Sequence, residues 1–398
     1  MKTKEIYLDN GASTKVDPNV LKAMMPYFSE KYGNASSTHA LGQESKDALE
    51  NARIVIAKSI NANPEEIIFT SGGTESDNLA LQEIAYSNRD KGNHIITTKI
   101  EHKAVLNTCK FLEKDGAEKS KISGTTCGGF KVTYLDVDKE GFIDSKKLED
   151  AITAKTILVS IIHGNSETGT IQNLEAIGKI CKKHNIYFHT DACQSYTKTE
   201  IDVEKQNLSL VTICGHKIHG PKGIGALYIK KGTTIHPLMH GGDHEFKLRP
   251  GTENTPGIVG FAEAVKLADK KHIDYMAKLR DRLIEGILKI PHVKLNGPKG
   301  DKRLCNNTNF SFKGIEGEAI VGSLDAEGIC ASTGSACSEK SLEPSQILKA
   351  IGLSNEDANG SIRLTLSRFT TEEEISYVLE VLPKIIENLR KMSPLWKG

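Results

Sequence analysis

The chain has 398 residues, enough to bury a sizeable core, and its length fits two domains or at most three. Lys and Arg total 52 against 51 Asp and Glu, a net charge of +1 that lacks the basic excess of a nucleic-acid or membrane-surface protein. The opening MKTKEIYLDNGAST has no apolar signal core and no apolar run reaches membrane-span length, so a cytoplasmic protein is expected.

In chain order, Ala48, Ala52, Val55 and Ile56 recur at helical spacing. The strand EIIFT (66–70) follows, then a glycine turn, a helix from Thr74 and the strand HIITT (94–98). The polar, glycine-bearing EKSKISGTTCGG (118–129) reads as a surface loop. TILVSII (156–162) leads to a helix with Leu174, Ile177 and Cys181, then IYFHT (186–190), VTIC (211–214) and ALYIK (226–230). Apolar strands alternating with helices predict a mostly parallel sheet covered on both faces.

Past about residue 260 the character changes. One long helical stretch, 261–290, precedes the shorter strands NFSF (309–312) and SIRLTLS (361–367). A capping box from Thr371 to Glu374 opens the last helix, with Ile375, Val378, Leu379, Leu382 and Leu389 on one stripe and a kink expected at Pro383. This part reads as a smaller α+β domain.

Eight cysteines (109, 127, 181, 193, 214, 305, 330 and 337) suit a cytoplasmic protein as free thiols, and with no CxxC pair their spacings fit neither a zinc ribbon nor a knuckle. His240 and His244 flank a GGD that reads as a loop, so no metal ligand set is assigned.

Ligands of open α/β sheets bind at the carboxyl ends of strands. After EIIFT comes Ser71-Gly72-Gly73-Thr74-Glu75, whose free N–H groups and positive helix end suit a phosphate. The turn is neither GxGxxG nor a nucleotide-hydrolase phosphate loop. The other ends carry Glu101 and His102; His163, Asn165 and Glu167; Asp191 and Gln194; and His216 and Lys217. Singly, each has a bland reading as a cap, a packing residue or a solvated loop side chain. Together, a phosphate turn, an imidazole, an amide, a carboxylate and an amine match what pyridoxal phosphate (PLP) asks of a protein.

At this point the chain resembles a known family, the group I cysteine desulfurases. These are PLP enzymes of fold type I, in the class V aminotransferase group. YLDNGAST, GNASSTH, TSGGTESDN, EHKAV, NSETG, HTDACQS, GHKIHGPKGIGALY, HGGDHE, RPGTEN, STGSAC, SLEPS and SIRLTLSRFT carry the resemblance across nearly the whole chain. It implies an α/β fold with a seven-stranded, mostly parallel sheet in a large domain, 16–260. Residues 1–15 and 261–398 would form the small domain, with a cysteine loop at about 332–341.

The resemblance also implies roles. Lys217 forms the internal Schiff base, and Lys222 is the decoy. Asp191 pairs with the ring nitrogen, and His102 stacks on the ring and shuttles protons. Gln194 and Asn165 hydrogen-bond the ring oxygen or substrate. Gly73, Thr74, Cys214 and His216 lie at the phosphate, with Thr252 reaching it from the second subunit of a homodimer. Asn34 and Arg363 contact the substrate, Arg363 through its carboxylate and from the strand face opposite Ile362, Leu364 and Leu366.

Cys337 sits among Ser332, Thr333, Gly334, Ser335, Ala336 and Ser338, where nothing large anchors it. Such a thiol suits a sulfur carrier, whereas Cys330 in GICAS reads as a small hydrophobe. By resemblance, Cys337 takes sulfur from L-cysteine, releases alanine and passes a persulfide to an iron–sulfur scaffold or another sulfur acceptor. His102 is the candidate to deprotonate it.

Three features depart from the family pattern: Cys214 in place of a Ser or Thr, the 118–129 segment with Cys127, and the end at SPLWKG. Competing readings are a selenocysteine lyase or aminotransferase on the same fold, and a catalytically silent interaction scaffold.

Overall fold

In the computed structural model, which describes residues 5–123, 129–333 and 344–396 and the side chains outside 115–128, seven strands form one sheet. They are β2 (Ile67–Thr70), β3 (His94–Thr98), β4 (Lys131–Leu135), β5 (Thr156–Ser160), β6 (Tyr187–Asp191), β7 (Leu210–Cys214) and β8 (Gly225–Ile229), in the spatial order β2-β8-β7-β6-β5-β3-β4. Pairing from β4 to β7 is parallel throughout, and β8 runs antiparallel to both β7 and β2.

Alternation along each strand splits the apolar side chains between two cores. Ile67, Phe69, Ile96, Val211 and Ile213 join one; Ile68, Ile95, Leu210 and Leu227 join the other. The Ala40–Ser59 and Leu174–Lys183 helices cover the first face, through Leu49, Ala52, Ile56, Ile177 and Cys181. The Gly73–Ser87 and Lys103–Ser123 helices cover the second, through Leu81, Ile84, Val105 and Cys109. Burial on both faces is why these strands read as continuous apolar runs.

A third core gathers Ile6 and Leu8 with residues from Leu279 to Ile386. Here β9 (Val293–Leu295), β10 (Asn307–Phe312) and β12 (Ser361–Thr365) form an antiparallel sheet in the order β12-β10-β9. The N-terminal β1 (Ile6–Tyr7) pairs in parallel with β11 (Ile329–Cys330). Leu364, fully buried at the centre of this core, would cost about 2–5 kcal/mol if cut to Ala.

Two local expectations change. The Lys103–Ser123 helix runs through residues 118–123, so that part of the expected loop is helical; Lys119, Ser120 and Lys121 carry no helix breaker. The 261–290 stretch is two elements, Thr255–Lys266 and Lys270–Ile287, because the Asp269 side chain caps a new helix by accepting from Lys271 N–H at 2.8 Å. The last helix, Glu372–Met392, passes through Pro383 as one element, and the Thr371–Glu374 capping box is formed.

Candidate active site

The carboxyl ends of β2, β3, β5, β6 and β7 open on one edge of the sheet, which the antiparallel β8 enters at Gly225, the partner of both Cys214 and Thr70. The chain must therefore turn back between Cys214 and Gly225. Lys217 lies in that turn, in a one-turn 3₁₀ segment, Gly215–Lys217.

A cavity of about 310 Å³ sits at this edge. Lys217, Asp191, His102, Gln194 and His216 line it, with Arg363 arriving from β12. A larger apolar groove, about 800 Å³ between Ile290 and Trp396, holds none of the candidate site residues.

The Lys217 ammonium donates to the backbone carbonyl of Gly11 and, at 2.7 Å, to that of Ala12. Gln194 Nε2 donates to the same Gly11 carbonyl at 2.9 Å, so the NGAST segment brackets the amine. Lys222 is exposed and does not line the cavity. Beneath Lys217, Lys198 Nζ donates to the carbonyls of Gln194 (2.9 Å) and Lys217 (3.1 Å), and burial lowers its pKa to about 8.

Asp191 ends β6, and its Oδ1 accepts the Cys193 N–H at 2.9 Å. Two further carboxylates lie close by. Asp77, from the Gly73–Ser87 helix, is fully buried, and burial, then the Asp191 charge, raise its pKa. Glu101, at the end of β3, accepts from Thr98 Oγ1 at 2.6 Å and Ile162 N–H at 2.9 Å, and burial pushes it up to about 8. His102 is exposed, and its Nδ1 accepts the Ala104 N–H at 3.2 Å, which leaves the proton of a neutral ring on Nε2.

At the phosphate end the Gly73–Ser87 helix begins without any side-chain cap, so its first N–H groups are available to an anion. A Cβ on Gly73 would lie 2.6 Å from Cys193 Sγ, which keeps this turn to glycine. Thr74 and Cys214 line the same end, and His216 Nδ1 lies 3.4 Å from Ser13 Oγ.

Arg363 corrects the picture of a strand with one open face. All of β12 is buried, and the Arg363 side chain, 6% exposed, pairs with Asp9 Oδ1 at 3.0 Å. The strand still alternates, but Arg363 lines the cavity instead of facing water.

Three expected residues stand apart from the lining. Asn165 is fully buried, donating to the Ile100 carbonyl and accepting from the Glu167 and Thr168 N–H groups, so it staples its own loop. Asn34 is exposed, with Oδ1 on the Ser36 N–H at 2.8 Å. Thr252 is exposed on the surface of this chain. Cys337 and Cys127 lie outside the described residues.

Sequence reasoning gave no role to Asp77, Gly11 or Ala12. Asp77 had a signal: it falls on the stripe that Ala80, Leu81 and Ile84 bury, where a carboxylate needs a reason.

The residues fit PLP. Among the described residues, four buried atoms in or beside the cavity have no hydrogen-bond partner: both Asp77 carboxylate oxygens, Glu101 Oε2 and Arg363 Nε. Asp77, His102 and Asp191 bring ligand atoms within 4.8 Å of one another, an arrangement that calls for a cation. A protonated pyridine supplies one. A metal ion would leave the phosphate turn and the lysine unexplained.

Comparison with known proteins agrees. The class-V aminotransferase family model matches residues 6–378. The chain belongs to that family. Among its relatives is a cysteine desulfurase IscS of Clostridium botulinum, 51% identical over 99% of this chain and 97% of that protein. Another is the cysteine desulfurase IscS of Methanosarcina thermophila, 51% identical over 98% of this chain and 94% of that protein. Among solved structures, a NifS-like protein superposes with a TM-score of 0.88 at 38% identity, covering 97% of this chain and all of that one (100%). SspA in complex with cysteine gives a TM-score of 0.80 at 37% identity over 92% of this chain and 100% of that one. The fold is therefore that of fold-type I class-V aminotransferases, and PLP is the cofactor.

Proposed function

We propose that this class-V enzyme is a cysteine desulfurase that takes sulfur from L-cysteine, releases alanine, and carries the sulfur away on Cys337. The observation that carries the reading is the meeting of the Lys217 amine, the Asp191 carboxylate and the Arg363 guanidinium on one cavity. Gly73, Thr74, Cys214 and His216 would hold the cofactor's phosphate, Asp191 its ring nitrogen, and Lys217 its aldehyde. When bound, PLP supplies the electron sink that makes the Cα proton of an amino acid acidic.

The chain's own groups do the rest. Arg363 binds the substrate carboxylate, with its unpaired Nε and the Asp9-oriented Nη2 setting the angle of approach. His102, with Nδ1 accepting from Ala104, presents its Nε2–H as a donor at the cavity. Lys217 moves the Cα proton once its amine is free. Gln194, Asn165 and Asn34 are assigned supporting contacts to cofactor or substrate.

Cys337 completes the set. Ser332 bridges Arg363, accepting its N–H at 2.6 Å, so the segment leading to Cys337 starts beside the carboxylate clamp. Cys337 is five residues on from Ser332, a chain length of at most roughly 17 Å. Its thiolate attacks the substrate sulfur. The new S–S bond forms as the C–S bond breaks, and the carbon keeps the electron pair and is protonated to the alanine methyl group.

The same reading assigns residues 16–260 to a large domain, and 1–15 with 261–398 to a small one. It places the protein in the cytoplasm as a homodimer, in which the partner subunit's Thr252 completes the phosphate site. The persulfide passes to an iron–sulfur scaffold or another sulfur acceptor. Release of alanine from L-cysteine by the PLP-loaded protein, with an equal amount of sulfide when dithiothreitol is present to reduce the persulfide, supports the function; no alanine from a loaded protein overturns it.

A further inference from the structure

Cys193 and Cys214 are two thiols that the proposed reaction does not consume. They stand at the ends of neighbouring parallel strands: Asp191 pairs with Thr212, and the Ala192 N–H donates to the Thr212 carbonyl at 2.9 Å. Cys193 lies in the turn two residues past β6, and Cys214 is the last residue of β7. The two thiols act on each other's ionisation and line the same cavity, with the Cys193 sulfur against the Gly73 turn.

Their surroundings favour sulfur chemistry. The Cys193 hydrogen bond, then His216 and Lys217, lower the Cys214 pKa. Cys193 is raised, first by Cys214 and then by burial, so Cys214 is the thiolate of the pair; among the other described cysteines, Cys109, Cys181, Cys305 and Cys330 are raised chiefly by burial. Cys193 is partly exposed, and its sulfur lies against the uncapped start of the Gly73–Ser87 helix, where a cofactor phosphate would seat.

We propose that Cys193 and Cys214 form a redox-active pair, which a peroxide closes to a disulfide when PLP is away and which then hinders its return. This rests on the reading of the cavity as the PLP site. The Cys214 thiolate attacks one peroxide oxygen, the O–O bond breaks, and water and a sulfenic acid result. The Cys193 thiol then attacks the sulfenic sulfur, the S–S bond forms, and the hydroxyl leaves as a second water. Two electrons pass from the sulfurs to the peroxide. Closure ties Cys214 to Cys193 at the phosphate end, against the Gly73 turn, and the bound phosphate in turn covers the pair.

The test is peptide mass spectrometry of the full-length chain, with and without PLP, after brief hydrogen peroxide treatment and alkylation. The expected result is a Cys193–Cys214 cross-linked peptide from the cofactor-free chain, reversed by dithiothreitol and formed at least tenfold more slowly in the loaded chain. PLP uptake, read by visible absorbance, should be several-fold slower after oxidation and recover on reduction. Cys193→Ser and Cys214→Ser should each abolish the cross-link, so either variant serves if the other does not fold. Both thiols alkylating freely after peroxide, or cross-linking at the same rate with and without PLP, would overturn the proposal. A chain that takes up no PLP would fail the cofactor reading, while the cross-link in the cofactor-free chain still tests the pair separately.

Discussion

Arg363 Nη2 lies 3.0 Å from Asp9 Oδ1, so the strand that ends the chain's last sheet is tied to the segment that opens the chain. Both residues reach the cavity edge from outside the large sheet. Because the pair is nearly buried and Nε is left unpartnered, a carboxylate arriving there gains charge-assisted bonds, each worth roughly 1.5–3 kcal/mol. Arg363→Ala should lower kcat/KM for L-cysteine roughly 10- to 100-fold, mainly through KM. An unchanged KM in steady-state kinetics would place the carboxylate elsewhere.

Borohydride reduction of the loaded protein should fix the cofactor to Lys217. Lys217→Ala should abolish the reducible adduct while the fold, read by circular dichroism, is kept. Lys222 is exposed and outside the cavity, so Lys222→Ala should leave the adduct intact. A tryptic adduct on Lys222 would overturn the assignment.

Gly73 and Cys193 should act as a pair. A methyl group on Gly73 would sit 2.6 Å from Cys193 Sγ, so Gly73→Ala should displace the turn and weaken PLP affinity by tenfold or more. Adding Cys193→Ala empties that space and should restore most of the affinity. Equal affinity in Gly73→Ala and the wild type, by equilibrium titration, would show that the turn is looser than drawn.

The strand ends could be read from the sequence because continuous apolar runs stop at polar residues, and Asp191, His216 and Lys217 are such stops. Arg363 was legible as to strand and face, yet not as to burial, since alternation says nothing about what a second domain covers. Asn165 reads as a strand-end amide free for a ligand, whereas the loop turns it onto its own N–H groups. Gly11 and Ala12 were invisible as lysine partners: their carbonyls act through the backbone, and no residue type signals that. Cys337 lies outside the described residues, so its role still rests on the small residues around it and on the Ser332 bridge.

Glu101 predicts a pH dependence in the cofactor-free chain. Its folded pKa of about 8 lies above the ordinary 4.5, so the folded state holds its proton where the unfolded state has lost it. The stabilisation is complete below pH about 4.5 and is lost as pH rises toward about 8. Asp77, raised for the same reason, adds in the same direction. The Tm of the cofactor-free chain should therefore fall from pH 5 to 8, and Glu101→Gln should flatten the slope. A Tm rising with pH equally in both proteins would contradict the buried, protonated carboxyl.

The central claim is that sulfur leaves L-cysteine for one thiol. It is tested most directly by exposing the PLP-loaded protein briefly to L-cysteine and mapping its peptides by mass. The account predicts one added sulfur atom on Cys337, absent in Cys337→Ser, which should still bind PLP and substrate but release no sulfide. Alanine released while the added sulfur is found on Cys193 or Cys214, or on no cysteine at all, would contradict it.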